Sequence, residues 1–420
     1  MALTPHTQRA ALAEKHRQTL AQSADGTRRE QVRLALLRLA GRRYRQHPSS
    51  ADTPPRRILV IRPDHLGDLL FATPALHFLR HRFPDAHIAA LVGPWGVPVL
   101  SGNKGIDELL TCPFPGFTRE AKGSPVAPYS LLRNEARRLA AMQFDLAFIL
   151  RFDHWWGAWL AAEAGIPRRI GYDIPSTKPL LTTTVPYVPG RHEVVQNLAL
   201  VGDGEWGMGS GEWGVGAGGW GLGRMRFTVS EADVVAAGEL LRGLGNEPPL
   251  VAIHPGSGAA VKRWRTEGWV ALVRALIGQH GAQIVFTGSA GEAELIDPVL
   301  ATLQEDGELV GGAVRSLAGR TDLGTLAAVY GRCTLVVGPD SGPLHLAVAA
   351  GTPTIHLYGP VDQRTFGPWG DPQRHVVITS DWPCIACNRL DWPDAALAQH
   401  GCVRDIAVED VIAAAARLLA

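Results

Sequence analysis

The chain has 420 residues, of which 46% are hydrophobic and 19% charged, enough apolar material for two or three domains with large cores. No apolar run approaches the ~18 residues of a membrane-crossing helix, and the N-terminus lacks the short apolar core and small-residue cleavage site of a secretory signal. Five cysteines, unevenly placed, do not make a disulfide framework, so a reducing cytoplasm is the expected compartment.

The net charge of +1 conceals an asymmetry. Residues 1–50 carry ten Lys/Arg against three Asp/Glu, and the other 370 carry 31 against 37. A basic arm (residues 1–50) therefore precedes a mildly acidic body, and such arms suit anionic surfaces. Thr27-Arg-Arg-Glu30 reads as a capping box opening a helix to about Arg45, with Val32, Leu36, Leu37 and Leu39 apolar among several arginines. That helix either packs on the body and solvates its charges or meets a membrane surface. Nucleic acid is not expected, because no aromatic interleaving or fold signature accompanies the charge.

Beyond a Pro-containing linker (47–55), strands and helices alternate. Arg57–Ile61 is an apolar run suited to a buried parallel strand, a helix follows from about Asp68 to Phe83, and 87–92 and 145–150 read as further strands. Residues 202–223 are nearly half glycine or more with three tryptophans, a composition that cannot offset the ordering entropy of a packed core; the tract reads as a flexible interdomain loop. Its Gly214-x-Gly216-x-x-Gly219 matches a dinucleotide fingerprint by spacing alone, with no strand before it and no helix close after, and is rejected. A second α/β unit opens at Ser230. Strands are expected at 250–254, 283–288, 334–338 and 354–358, helices at 266–279, 322–331 and 344–350, and an amphipathic helix from about Val408.

Three loops follow strand ends, where open α/β sheets bind ligands. In Gly338-Pro-Asp-Ser-Gly-Pro-Leu-His345, Ser341 and Gly342 would present backbone N–H groups at a helix start, an anion site that Gly342 leaves open to close approach. His254-Pro-Gly-Ser257, running on to Lys262-Arg-Trp264, is glycine-rich and cationic, and it is not a Walker A loop. In Arg62-Pro-Asp-His-Leu-Gly-Asp68, Asp68 is either a first-turn residue stabilised by the helix dipole, which would hold it ionised, or a carboxylate held at an interdomain cleft.

Together these loops resemble the GT9 heptosyltransferases over about residues 57–410. The resemblance is carried by Ile58 to Leu76, by His254-Pro-Gly-Ser with Lys262-Arg-Trp264, by Ser316 to Val329, and above all by Val337-Gly-Pro-Asp-Ser-Gly-Pro-Leu-His-Leu-Ala347 with Gly351-Thr-Pro and Leu357-Tyr-Gly-Pro360. Arg265 stands where the family usually has proline. The resemblance implies an α/β chain of GT-B fold, two Rossmann-like doubly wound domains facing a central cleft. An acceptor domain would span 56–201, a nucleotide-sugar domain 225–404, and a C-terminal helix (405–420) would pack back on the first domain. It implies inverting heptose transfer from a nucleotide-diphosphate sugar, typically ADP-heptose, to a lipid-linked lipopolysaccharide core acceptor, at the inner face of the cytoplasmic membrane. Neither a cofactor nor an essential metal is implied.

By matching position, Asp68 becomes the candidate general base and Lys262 a diphosphate contact. Asp340, Ser341, Gly342 and His345 become the sugar and phosphate cradle, with Ser257 in the donor loop and Glu292 a candidate partner of the ribose. Cys384-x-x-Cys387, His400 and Cys402 carry zinc-type donor atoms, but ordinary core or loop thiols are the simpler reading. The rival functions are a GT-B enzyme with another donor or acceptor, a catalytically silent sugar-nucleotide binder, which the intact loops disfavour, and a nicotinamide dehydrogenase, which lacks a credible fingerprint.

Overall fold

The structure, a computed structural model, describes residues 28–44, 53–118, 124, 126–203, 223–244, 248–305 and 312–420. The capping residue Thr27 and the Gly214–Gly219 pattern lie outside them. The chain divides into two compact units that meet in sequence at Arg226 and Phe227.

The first unit is built on six parallel strands: β1 (Arg57–Arg62), β2 (His87–Val92), β3 (Glu108–Thr111), β4 (Leu146–Ile149), β5 (Arg168–Tyr172) and β6 (Thr183–Val185). Their order is β3-β2-β1-β4-β5-β6. Ile58–Ile61 of the central β1 are buried on both faces, as helix-covered parallel strands require. Among the described residues, five helices longer than one turn accompany the sheet: α1 (Arg28–Arg43), α2 (Leu66–Arg82), α3 (Ala127–Ala141), α4 (Trp155–Glu163) and α5 (Glu193–Asp203).

α1 is seated on this unit, one of the two readings its sequence left open. Leu37 is buried in its core, and Gly41 lies so close to Pro179 that an added Cβ would fall 2.2 Å from the proline carbonyl oxygen. Within α2, Pro74 offers no N–H to the Leu70 carbonyl four residues back. The Thr73 hydroxyl donates to that oxygen instead, at 2.7 Å, which lets the proline stay inside the helix.

The second unit repeats the plan with β7 (Leu250–Ile253), β8 (Gln283–Phe286), β9 (Val314–Ser316), β10 (Leu335–Pro339), β11 (Thr354–Tyr358) and β12 (His375–Thr379), in the order β12-β11-β10-β7-β8-β9. Its longer helices are α6 (Glu231–Leu240), α7 (Thr266–His280), α8 (Ala293–Glu305), α9 (Leu323–Tyr330), α10 (Gly342–Ala349) and α11 (Val408–Leu419). Ser230 caps α6 in a reciprocal box with Asp233. The terminal helix α11 differs from its expected return to the first domain. Val411, Ala414 and Ala415, at i, i+3 and i+4, form one apolar stripe, and that stripe is buried in the core of the second unit.

Each sheet thus has the 3-2-1-4-5-6 strand order, whose direction of growth reverses between the first and fourth strands. The crevice beyond the carboxyl ends of those two strands is the ligand position of such sheets. In the first unit it lies at β1 and β4, and in the second at β7 and β10. Among the described residues no helix is long and apolar enough to cross a membrane.

Candidate active site

In the first unit the end of β1 places Arg62 in a nest of carboxylates. Arg62 is 3% exposed. Its Nε lies 2.7 Å from Asp64 Oδ2, its Nη1 donates to Glu193 Oε1 at 2.9 Å, to Asn197 Oδ1 at 3.1 Å and to the Leu150 carbonyl at 3.0 Å, and its Nη2 reaches Asp68 Oδ1 at 3.5 Å. Arg151, just past β4, pairs with Asp64 from the other side. Burial alone would lower the basicity of Arg62, but Asp64, Glu193 and Asp68 more than offset it, and the guanidinium is held charged. Burial likewise works against an ionised Asp64, yet Arg62 and Arg151 keep its carboxyl below the usual range.

Asp68 stands in the first turn of α2, where the helix dipole favours the anion. The dipole does not prevail. Burial, and after it the Asp64 carboxylate, push Asp68 up to about 7 against the pull of Arg62. Its side chain keeps 34% of its surface open, so water moderates the shift while its direction stays upward. The expected firmly ionised, weak base is instead a carboxylate whose proton affinity suits general-base work near neutral pH.

In the second unit, Asp340 follows β10 and gathers two side chains. Lys262 Nζ lies 3.0 Å from Asp340 Oδ2, and His345 Nε2 lies 3.6 Å from Asp340 Oδ1. Burial opposes charge on Asp340, but His345 and Lys262 together hold its carboxyl far below the usual range. Ser341 is the N-cap residue of α10, is 7% exposed, and its Oγ has no hydrogen-bond partner among the described residues. Pro343 occupies the first turn of α10 and contributes no N–H, so the helix start has fewer donors than its sequence spacing indicates.

The loop after β7 lies beside this group in the sheet. His254 is buried and kept neutral by desolvation, its affinity lowered to about 4, and its Nδ1 lies 3.2 Å from the Thr287 hydroxyl. Gly338 on β10 is required by this packing, because a Cβ there would fall 2.5 Å from the His254 carbonyl oxygen. Glu292 closes a capping box, its Oε2 accepting from the Ser289 N–H at 2.7 Å, and it presses on the donor loop at Gly256, where a Cβ would sit 1.9 Å from Oε1. Ser257 is also buried.

The family model described as glycosyltransferase family 9 (heptosyltransferase) matches residues 132–391. This chain belongs to glycosyltransferase family 9. It is 24% identical over 367 residues to lipopolysaccharide heptosyltransferase 2 of Escherichia coli K12, covering 85% of this chain and 96% of that one. It is 26% identical over 368 residues to lipopolysaccharide heptosyltransferase 3 of the same organism, covering 84% and 95%. The solved structure of E. coli ADP-heptose lps heptosyltransferase II superposes with a TM-score of 0.66 at 24% identity, over 86% of this chain and 98% of that one. The fold is GT-B, and the chain is a glycosyltransferase.

Within this family 9 enzyme, the residues expected at the donor loops fall together in the second unit. Lys262, Asp340 and His345 are in direct contact, with Ser341 and Gly342 adjoining in sequence. Asp68 lies in the first unit amid residues that sequence reasoning left unassigned: Arg62, Asp64, Arg151, Glu193 and Asn197. The only sequence signal for the last two is their i, i+4 spacing on one helix. Arg265, at the family's proline position, donates to the Ile406 carbonyl at 2.9 Å, next to a Trp264 Nε1 bond to the same oxygen at 3.2 Å, so it anchors the loop that carries Lys262. Among the described residues no three His, Cys, Asp or Glu side chains are placed to hold a metal; His400 stacks on Trp392 at 3.5 Å.

Proposed function

We propose that this chain transfers a heptose from ADP-heptose, with inversion, to the core saccharide of lipopolysaccharide, using Asp68 as general base. The reaction class follows from the family and from relatives matched over nearly their whole length. The observation that carries the mechanism is Asp68, a partly open carboxylate in the first turn of α2 whose proton affinity is pushed up to about 7. In the reaction the acceptor hydroxyl oxygen bonds to the anomeric carbon while its proton passes to Asp68. The bond from that carbon to the diphosphate oxygen breaks, and the nucleoside diphosphate leaves with the electron pair.

Lys262 supplies positive charge to the diphosphate, and the Ser341 hydroxyl, unpartnered among the described residues, and the α10 start supply donors to it. Asp340 is a carboxylate and would repel a phosphate. Its role is to position Lys262 and His345. Gly342 leaves room for the phosphate, Ser257 lines the donor loop, and Glu292 is the candidate ribose partner on the far side of that loop.

Membrane association belongs to the same reading. On α1, Val32, Leu36 and Leu39 are 59%, 58% and 63% exposed at i, i+4 and i+7, one open apolar edge beside the exposed Arg38, Arg42 and Arg43. Such an edge with basic flanks suits an anionic bilayer surface, where a lipid-linked acceptor resides. The test of the reaction is turnover of ADP-, GDP-, UDP- and dTDP-linked sugars by purified protein. Nucleoside diphosphate release from ADP-heptose that requires the lipopolysaccharide core acceptor supports the reading; release that ignores the acceptor, or occurs only with another donor, opposes it.

A further inference from the structure

A cavity of about 400 Å³ opens in the first unit past the end of β4 and shares Arg151 with the charged group around Asp64. Phe117, Tyr129 and Trp155 line it together with Arg151, Asp153 and His154, and the Arg151 guanidinium lies 5.2 Å over the Phe117 ring. The geometry points to this cavity as a subsite for one neutral sugar ring of the acceptor glycan, adjacent to the ring that is glycosylated. The inference rests on the acceptor reading given above and names the part of this unit that would hold the acceptor.

Three features select that ligand class. The volume lies within the range of small-molecule sites, roughly 300–1,000 Å³. Aromatic faces are electron-rich and attract the weakly positive C–H edges of a pyranose, while an acyl chain would leave the polar groups of the cavity desolvated and unmatched. The charge is already balanced: Arg151 Nε lies 2.7 Å from Asp153 Oδ1, and the same guanidinium also holds Asp64. With two carboxylates on one cation, a phosphate or carboxylate would find no spare positive charge here, whereas hydroxyls that both donate and accept meet both partners.

His154 adds to this. It is 5% exposed, and neither ring nitrogen has a hydrogen-bond partner among the described residues. Burial lowers its affinity to about 3, so the imidazole is neutral, with one donor and one acceptor nitrogen unmet among the described residues. A buried polar group without a partner is unfavourable, and a hydroxyl satisfies either nitrogen once the side chain adjusts. Arg151 also links the cavity to the reacting centre, since its partner Asp64 shares Arg62 with Asp68.

The test is ligand-observed saturation-transfer NMR on the full chain without donor, using the deacylated core oligosaccharide of lipopolysaccharide as probe. Tyr129→Ala removes a side chain that is 46% exposed, and Asp153→Asn keeps shape while removing charge. Melting followed by circular dichroism reports whether each variant is folded. We expect transfer concentrated on the protons of one ring in the wild type, with affinity weakened roughly 3- to 10-fold in the folded variants. No transfer in the wild type, or equal affinity in the folded variants, overturns the subsite. Binding that behaves as expected in a protein that turns over no ADP-heptose counts against the transfer reaction and leaves the subsite standing.

Discussion

Arg62 lies 2.7 Å from Asp64 through Nε but reaches Asp68 only at 3.5 Å through Nη2. The guanidinium therefore gives most of its compensation to Asp64 and leaves Asp68 beside an anion it does not fully screen. Burial lifts Asp68 and the Asp64 anion adds to the lift, so Asp68 rises to about 7, while Arg62 and Arg151 together keep Asp64 ionised.

That separation predicts the pH profile. Transfer requires Asp68 unprotonated, so kcat/KM should rise with pH through a limb near 7 and level off above it. Asp64→Asn removes the repelling neighbour and frees Arg62 for Asp68. Both changes favour the Asp68 anion, so the limb should move toward acid. A limb that stays in place, or moves toward alkali, contradicts this arrangement.

Lys262 is 3.0 Å from Asp340. Lys262→Ala should weaken donor binding roughly 10- to 100-fold, the usual range for a charge-assisted contact. Asp340→Asn should also weaken it, by releasing Lys262 and His345 from their aligned positions. Isothermal titration with the nucleotide-sugar reads both, and wild-type affinity in the two variants would place the diphosphate elsewhere.

Gly338 tests the close packing of β10 against the end of β7. Gly338→Ala would put a methyl group 2.5 Å from the His254 carbonyl oxygen and 2.6 Å from Leu344 Cδ2. Overpacking of this kind typically destabilises by about 1–3 kcal/mol. A lowered thermal midpoint is expected, and an unchanged midpoint would mean that the strands separate freely.

Much of this was legible in the sequence, and the omissions have a common cause. Apolar runs ending in Gly, Pro and Asp mark the three loops at 62–68, 254–264 and 338–345, because a buried strand must turn sharply where ligands bind. The surroundings of Asp68 were not legible. Glu193 is 131 positions from Arg62, and Arg151 is 87 from Asp64, so only the folded sheet brings them together. That is why burial and distant charges, and not the local helix dipole, set the sign of the Asp68 shift. The three-residue strands β6 and β9 are too short for a periodic signal. The α1 helix was visible as a helix, but which leucine turns inward, Leu37, depended on the Pro179 turn that it meets.

The open edge of α1 predicts vesicle binding. Wild-type protein should float with vesicles containing anionic lipid, less so at high salt, since each basic residue near such a surface contributes about 1 kcal/mol. Replacing Val32 and Leu36 by Asp, both on the open edge, should cut the floated fraction several-fold without lowering the thermal midpoint. Undiminished flotation of that variant would show that this edge is not the membrane contact.

The most direct test of the central claim is single-turnover transfer from ADP-heptose to the core acceptor by Asp68→Asn. The amide keeps the shape of the side chain and removes its basicity. We predict a fall in the transfer rate of roughly 100-fold or more, the usual general-base contribution, with donor affinity and thermal midpoint near those of the wild type. A near-normal rate in a folded variant that binds donor would contradict Asp68 as the base.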